Sequence, residues 1–150
     1  GVEGDHFSPS LSQTVFLLES FSRNDAIAAL AQGRVYATYG PHGVDTHLRT
    51  YEIRTKDTVA YSGQMIRTGG SITLNFALDL TGPIAKRGLT VDVIKNGRVI
   101  KTLEGVGTVE SHIEDTDLSL GRIHVYRVDA RGPKQTRVLF NPIFVDRRAG

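Results

Sequence analysis

Ser71-Ile72-Thr73-Leu74-Asn75-Phe76-Ala77-Leu78-Asp79-Leu80 alternates apolar and polar residues with one lapse, at Ala77. Ile72, Leu74, Phe76, Leu78 and Leu80 fall on one side of an extended chain. Ser71, Thr73, Asn75, Ala77 and Asp79 fall on the other. Successive side chains of a strand point to opposite faces, so this period of two predicts a strand with one face on a core and the other near water. Downstream, Asn96-Gly97 separates Leu89–Lys95 from Arg98–Leu103. Both turn residues tolerate positive φ, which predicts a two-residue hairpin. Val109–Ile113, Arg122–Asp129 and Arg137–Val145 supply further strands. Asn141-Pro142 interrupts the last of these; proline has no N–H for a ladder, so that point is expected at an edge or a bulge.

Upstream, Leu48–Thr55 alternates with Tyr51 and Ile53 on one face, and Val35–Thr38 is a short strand ending at Gly40-Pro41. About seven short strands with glycine-bearing turns predict a mainly β fold, an immunoglobulin-like antiparallel β-sandwich. The chain has no cysteine and no tryptophan, so the kinship is architectural. A short strand–helix segment precedes the sandwich. Thr14–Leu18 is an apolar run of strand length. Ser22 is a candidate N-cap with Asp25 three residues on, Ala26, Ile27, Leu30 and Ala31 recur at helical spacing, and Gly33 suits the C-terminal end, predicting a helix over 23–32.

Composition excludes several classes. With no cysteine among 150 residues there is no disulfide scaffold, zinc-thiolate site or catalytic thiol. No run approaches the roughly 18 apolar residues of a membrane span. Eighteen basic residues face sixteen acidic ones, and the arginines are scattered, so no nucleic-acid stripe is expected. Neither a Gly-x-Ser-x-Gly elbow nor a P-loop is present. The chain opens on Gly1-Val2 with no pattern of a signal peptide, and is read as cut from a longer protein.

Few residues suggest chemistry. Asp5-His6 offers a carboxylate and an imidazole, a pair that suits Zn, Mn or Fe, against the alternative of a polar terminus. His42 and His47 read as exposed loop histidines, and His112 and His124 as strand residues on solvent faces. Glu114-Asp115-Thr116-Asp117 offers three carboxylates, but no calcium-loop pattern surrounds them, and a solvated turn is expected. Tyr39 and Tyr61 are candidate exposed aromatics for a ligand-binding or adhesion sandwich, whereas Tyr126 is expected to pack.

Several segments resemble a known family. Asn24-Asp25-Ala26-Ile27-Ala28-Ala29-Leu30-Ala31-Gln32-Gly33-Arg34-Val35-Tyr36-Ala37-Thr38, followed by Gly40-Pro41, resembles the end of the catalytic domain of CehA/McbA-like metallohydrolases. These belong to the PHP (polymerase and histidinol phosphatase) superfamily. Val93–Val99, Tyr126-Arg127-Val128 and Asn141-Pro142-Ile143-Phe144-Val145 resemble strands of that family's C-terminal sandwich, in the same order. The resemblance implies two parts: residues 1–40, the last strand and helix of a PHP-type barrel, and residues 41–150, the appended β-sandwich. It implies a parent that is a metal-dependent hydrolase of phosphoesters, holding a divalent metal (Zn, Mn or Fe). The partner is then the catalytic domain of the same parent chain.

The family's His-x-His and later Glu and His ligand motifs are not found in these 150 residues. Of its last motif, Asp-x-His, His6 matches the histidine. Gly4 stands at the aspartate's place and Asp5 adjoins. The expectation is a non-catalytic module that carries no cofactor of its own and braces the catalytic domain or mediates interactions. The alternatives are a remnant hydrolase with a degenerate site and a ligand-binding sandwich. Related architectures suggest a bacterial protein, with an extracytoplasmic location as one option; the sequence does not fix the compartment.

Overall fold

The computed structural model describes residues 12–148 apart from Leu118. The alternating stretch forms β6 (Ile72–Leu80), at the centre of a four-stranded sheet. It pairs antiparallel with β3 (Thr46–Arg54) on one side and β9 (Thr108–Asp115) on the other, and β3 also carries β4 (Val59–Tyr61). Ile72, Leu74, Phe76, Leu78 and Leu80 are all buried, as their period requires. Ala77 is buried too, although it points outward. It stands in register between Thr50 and Glu110, and these longer side chains shelter its methyl group.

Among the described residues, the second sheet has eight strands. β7 (Leu89–Lys95) pairs with β8 (Arg98–Gly105) and with β10 (Ile123–Arg131). The hairpin between β7 and β8 turns at Asn96 (φ 50) and Gly97 (φ 80), the two positive φ values that such a turn demands. The far edge of β10 is shared by β11 (Arg137–Phe140) and β12 (Ile143–Asp146). β11 continues to β2 (Val35–Tyr39) and then β1 (Gln13–Phe16), whereas β12 pairs parallel with β5 (Met65–Arg67). Pro142 therefore marks the point where one long strand changes its outer neighbour from β2 to β5. No ladder needs its missing N–H there, and its carbonyl accepts from Gly63 N–H at 2.9 Å.

The two sheets pack face to face over one core, a β-sandwich whose strand order fits the immunoglobulin-like type. Phe76 meets the rings of Tyr51 and Phe140 edge-on at 6.1 and 5.4 Å, and Tyr36 lies 5.0 Å from Phe140. Burying a side chain the size of Phe76 stabilises by about 3 kcal/mol. Helix α1 (Arg23–Ala31) lies between β1 and β2, with Ser22 Oγ accepting from Asp25 N–H at 3.1 Å as the predicted cap. A single turn, α2 (Ile84–Arg87), links β6 to β7 and buries Ile84. β2 lies within the first of the two expected parts, and its ladder with β11 places it in the same sheet as β10.

Candidate functional site

Asp5 and His6, the predicted metal pair, lie outside the described residues. Among the described residues, no three histidine or acidic side chains converge as metal ligands. The other histidines differ in setting. His47 is exposed on β3, as expected, and His112 is exposed on β9. His42, expected in the open, is largely covered, with its Nδ1 3.4 Å from Asp45 Oδ2.

His124 corrects the expectation of a solvent face: it is 1% exposed. It shares a face of β10 with Tyr126, Val128 and Ala130, all in the core. Alternation within Arg122–Asp129 carried that signal. The two ring nitrogens have partners. Nε2 donates to Ser119 O at 3.0 Å, and Nδ1 accepts from Asn96 Nδ2 at 2.9 Å. Asn96 Oδ1 accepts in turn from Val125 N–H at 2.9 Å. His124 thus ties the β7–β8 hairpin turn to β10 and has no lone pair left for a ligand.

The acidic turn is an ion-pair network. Lys95, at the end of β7, reaches Asp115 Oδ2 at 2.7 Å and Asp117 Oδ2 at 2.8 Å. The Tyr126 hydroxyl donates to the same Asp115 oxygen. Asp115 is mostly buried, which alone would raise its pKa, but the hydrogen bonds from Lys95 and Tyr126 outweigh that and hold it below the usual carboxylate range. Asp117, more exposed, is held well below it by Lys95 and Ser119. The same pairing raises Lys95 against the opposing effect of its burial. Two of the three carboxylates are consumed by one ammonium, so this turn is not a vacant calcium cradle.

The surface best suited to a partner lies on β1 and α1. Ile27 and Leu30 are 55% and 59% exposed, and Phe21 is fully exposed. Arg23, Ile27 and Leu30 follow at i, i+4 and i+7, so they share one helix face. Only Ala29 of the helix is buried. The helix therefore turns a small residue toward the sandwich and its large apolar residues away from it. Beside that face is a depression of about 330 Å³ lined by Phe16, Leu18, Phe21, Ser22, Arg23 and Ala26. Among the described residues, β1 pairs with β2 alone, which leaves its other edge without a ladder partner there.

This surface is held firmly. Gly33 O, just past the helix, accepts from Asn141 Nδ2 at 2.9 Å and Ser62 Oγ at 3.2 Å. Arg34 Nη1 donates to Leu17 O at 3.1 Å. Gly63, at φ +80, brings its backbone so close that a Cβ there would stand 2.7 Å from Gly33 Cα and closer still to Gln32 O. Two glycines in contact let the strand–helix segment abut the sandwich backbone to backbone.

The two tyrosines expected to be exposed lie on different sheets, Tyr39 on β2 and Tyr61 on β4. Tyr126 packs at 1% exposure, as expected. No helix among the described residues is long and apolar enough to cross a membrane. No family model matches the chain, and no curated protein matches it.

Proposed function

We propose that this chain is the non-catalytic C-terminal β-sandwich module of a PHP-type metal-dependent phosphoesterase, bracing the catalytic domain that precedes it. The ordered resemblance of its segments suggests the family. The observation that carries the bracing role is the pair of exposed apolar side chains Ile27 and Leu30 on α1, turned away from the sandwich on a helix fastened to it through Gly33, Gly63 and Asn141. Covering Ile27, Leu30 and Phe21 would stabilise an interface by up to about 1.5–3 kcal/mol each. A helix that served only the sandwich would direct those residues inward.

The module role predicts that chemistry resides elsewhere in the parent. A metal-bound water needs about three protein ligands, and Asp5 with His6 would provide at most two. The test is a phosphoesterase assay on the purified, tag-free 150-residue chain with Zn²⁺ or Mn²⁺ added. The module reading expects no turnover and no micromolar metal site that His6→Ala removes. Turnover, or micromolar binding lost in His6→Ala, overturns it in favour of the remnant hydrolase.

A further inference from the structure

The outer face of the four-stranded sheet carries an ordered polar grid. Thr50, Ala77 and Glu110 stand in one cross-strand row, and Glu52, Asn75 and His112 in the next. The second row is a hydrogen-bonded chain with one consistent polarity. Arg54 pairs with Glu52 at 2.5 Å, and Asn75 Nδ2 donates to Glu52 Oε1 at 3.2 Å. That fixes the amide, so Asn75 Oδ1 is the acceptor facing His112 Nδ1 at 2.6 Å. His112 must then carry its proton on Nδ1, and its Nε2 keeps a free lone pair.

The position of that lone pair matters. His112 and Glu110 are two residues apart on β9, so they share its outer face. Together with Thr50 and Asn75 they line a depression of about 380 Å³ above the short Ala77 side chain. An imidazole whose far N–H is held by a second group that is itself anchored is how proteins orient a metal-ligating histidine. The Glu110 carboxylate, two residues earlier on the same strand, adds an oxygen donor on the same side.

We propose that Glu110 and His112 form a two-ligand site for a borderline divalent transition ion such as Zn²⁺, Ni²⁺ or Cu²⁺, with Asn75 as the residue that positions His112. Imidazole nitrogen with carboxylate oxygen is the donor set these ions accept. Water fills the other positions, so binding is sub-millimolar rather than tight. Arg49 competes: its Nη2 lies 3.5 Å from Glu110 Oε2 and 3.5 Å from Asp79 Oδ1. Its side chain is half exposed and has Asp79 as a second partner, so it can release Glu110. This inference is independent of the proposed module role.

The experiment is an NMR titration of the tag-free chain with Ni²⁺, alongside Zn²⁺ calorimetry. Paramagnetic broadening is expected to centre on residues 110–112 and 75. His112→Ala should abolish it. Asn75→Ala, which leaves both ligands in place, should weaken Zn²⁺ binding about tenfold. His47→Ala should leave it unchanged, and the amide spectrum reports whether each variant is folded. Broadening centred on another histidine, or binding unaltered in His112→Ala, overturns the site. Unaltered affinity in folded Asn75→Ala overturns the positioning role.

Discussion

Gly63 and Gly97 both adopt φ +80 but differ in their surroundings. A Cβ on Gly97 would meet nothing within 4 Å, whereas one on Gly63 would press on the Gly33 and Gln32 backbone. Alanine at either position incurs the left-handed penalty of about 1–2 kcal/mol. At Gly63 the obstacle is also main chain, which cannot swing away as a side-chain tip can. Relief requires the 32–34 segment to move off the sandwich, weakening the Asn141 and Ser62 hydrogen bonds to Gly33 O, each worth about 1 kcal/mol. Gly97→Ala should therefore destabilise by about 1–2 kcal/mol and Gly63→Ala by about 3 kcal/mol or more. Urea unfolding reads the difference: with a slope near 2 kcal/mol/M, the midpoints should fall by roughly 0.5–1 M and by about 1.5 M or more. Hydrogen exchange should also show residues 23–31 losing protection in Gly63→Ala alone. Equal midpoint shifts, with unchanged exchange in α1, would refute the backbone contact between segment and sandwich.

Other perturbations probe the sandwich and its ion pairs. Lys95→Met strands the largely buried Asp115 and should cost about 2 kcal/mol, less than a fully buried pair because Asp117 is half exposed; chemical unfolding at neutral pH measures it. The carboxylates of Asp115 and Asp117 titrate below their ordinary 3.8, so their stabilisation is complete above that value and is lost as pH falls through the lowered folded values. Stability of the parent chain should thus decline below about pH 4, and that decline should be shallower in Lys95→Met; parallel slopes would contradict it. Phe76→Ala empties the centre of the aromatic cluster and should cost about 3–5 kcal/mol, seen in the thermal midpoint.

What could be read from the sequence follows from the range of each signal. β6 was legible because ten residues of alternation leave little choice of register, and the Asn96-Gly97 turn because only certain residues accept its dihedrals. β4 and β5 were not, since three-residue strands are too short to display a period. The helix was legible in extent but not in orientation. Its apolar spacing showed a face without showing whether the sandwich or something else would cover it.

His124 was misjudged by its polarity, although its alternation with Tyr126 and Val128 placed it inside. The carboxylates of the acidic turn were visible, but their cation was not: Lys95 lies twenty or more residues away and reaches them only once β7 and β9 are in place. Similarly, the Glu52–Asn75–His112 row exists only through the registers of β3, β6 and β9, which no local pattern discloses.

The bracing role is tested most directly by the double substitution Ile27→Lys and Leu30→Lys. In the 150-residue chain both side chains are mostly exposed, so the change should alter stability by less than about 0.5 kcal/mol. In the full-length gene product, hydrogen exchange across residues 23–31 should show α1 protected in the parental sequence and exposed in the variant. Equal exchange in the full-length parental and variant proteins would contradict the account.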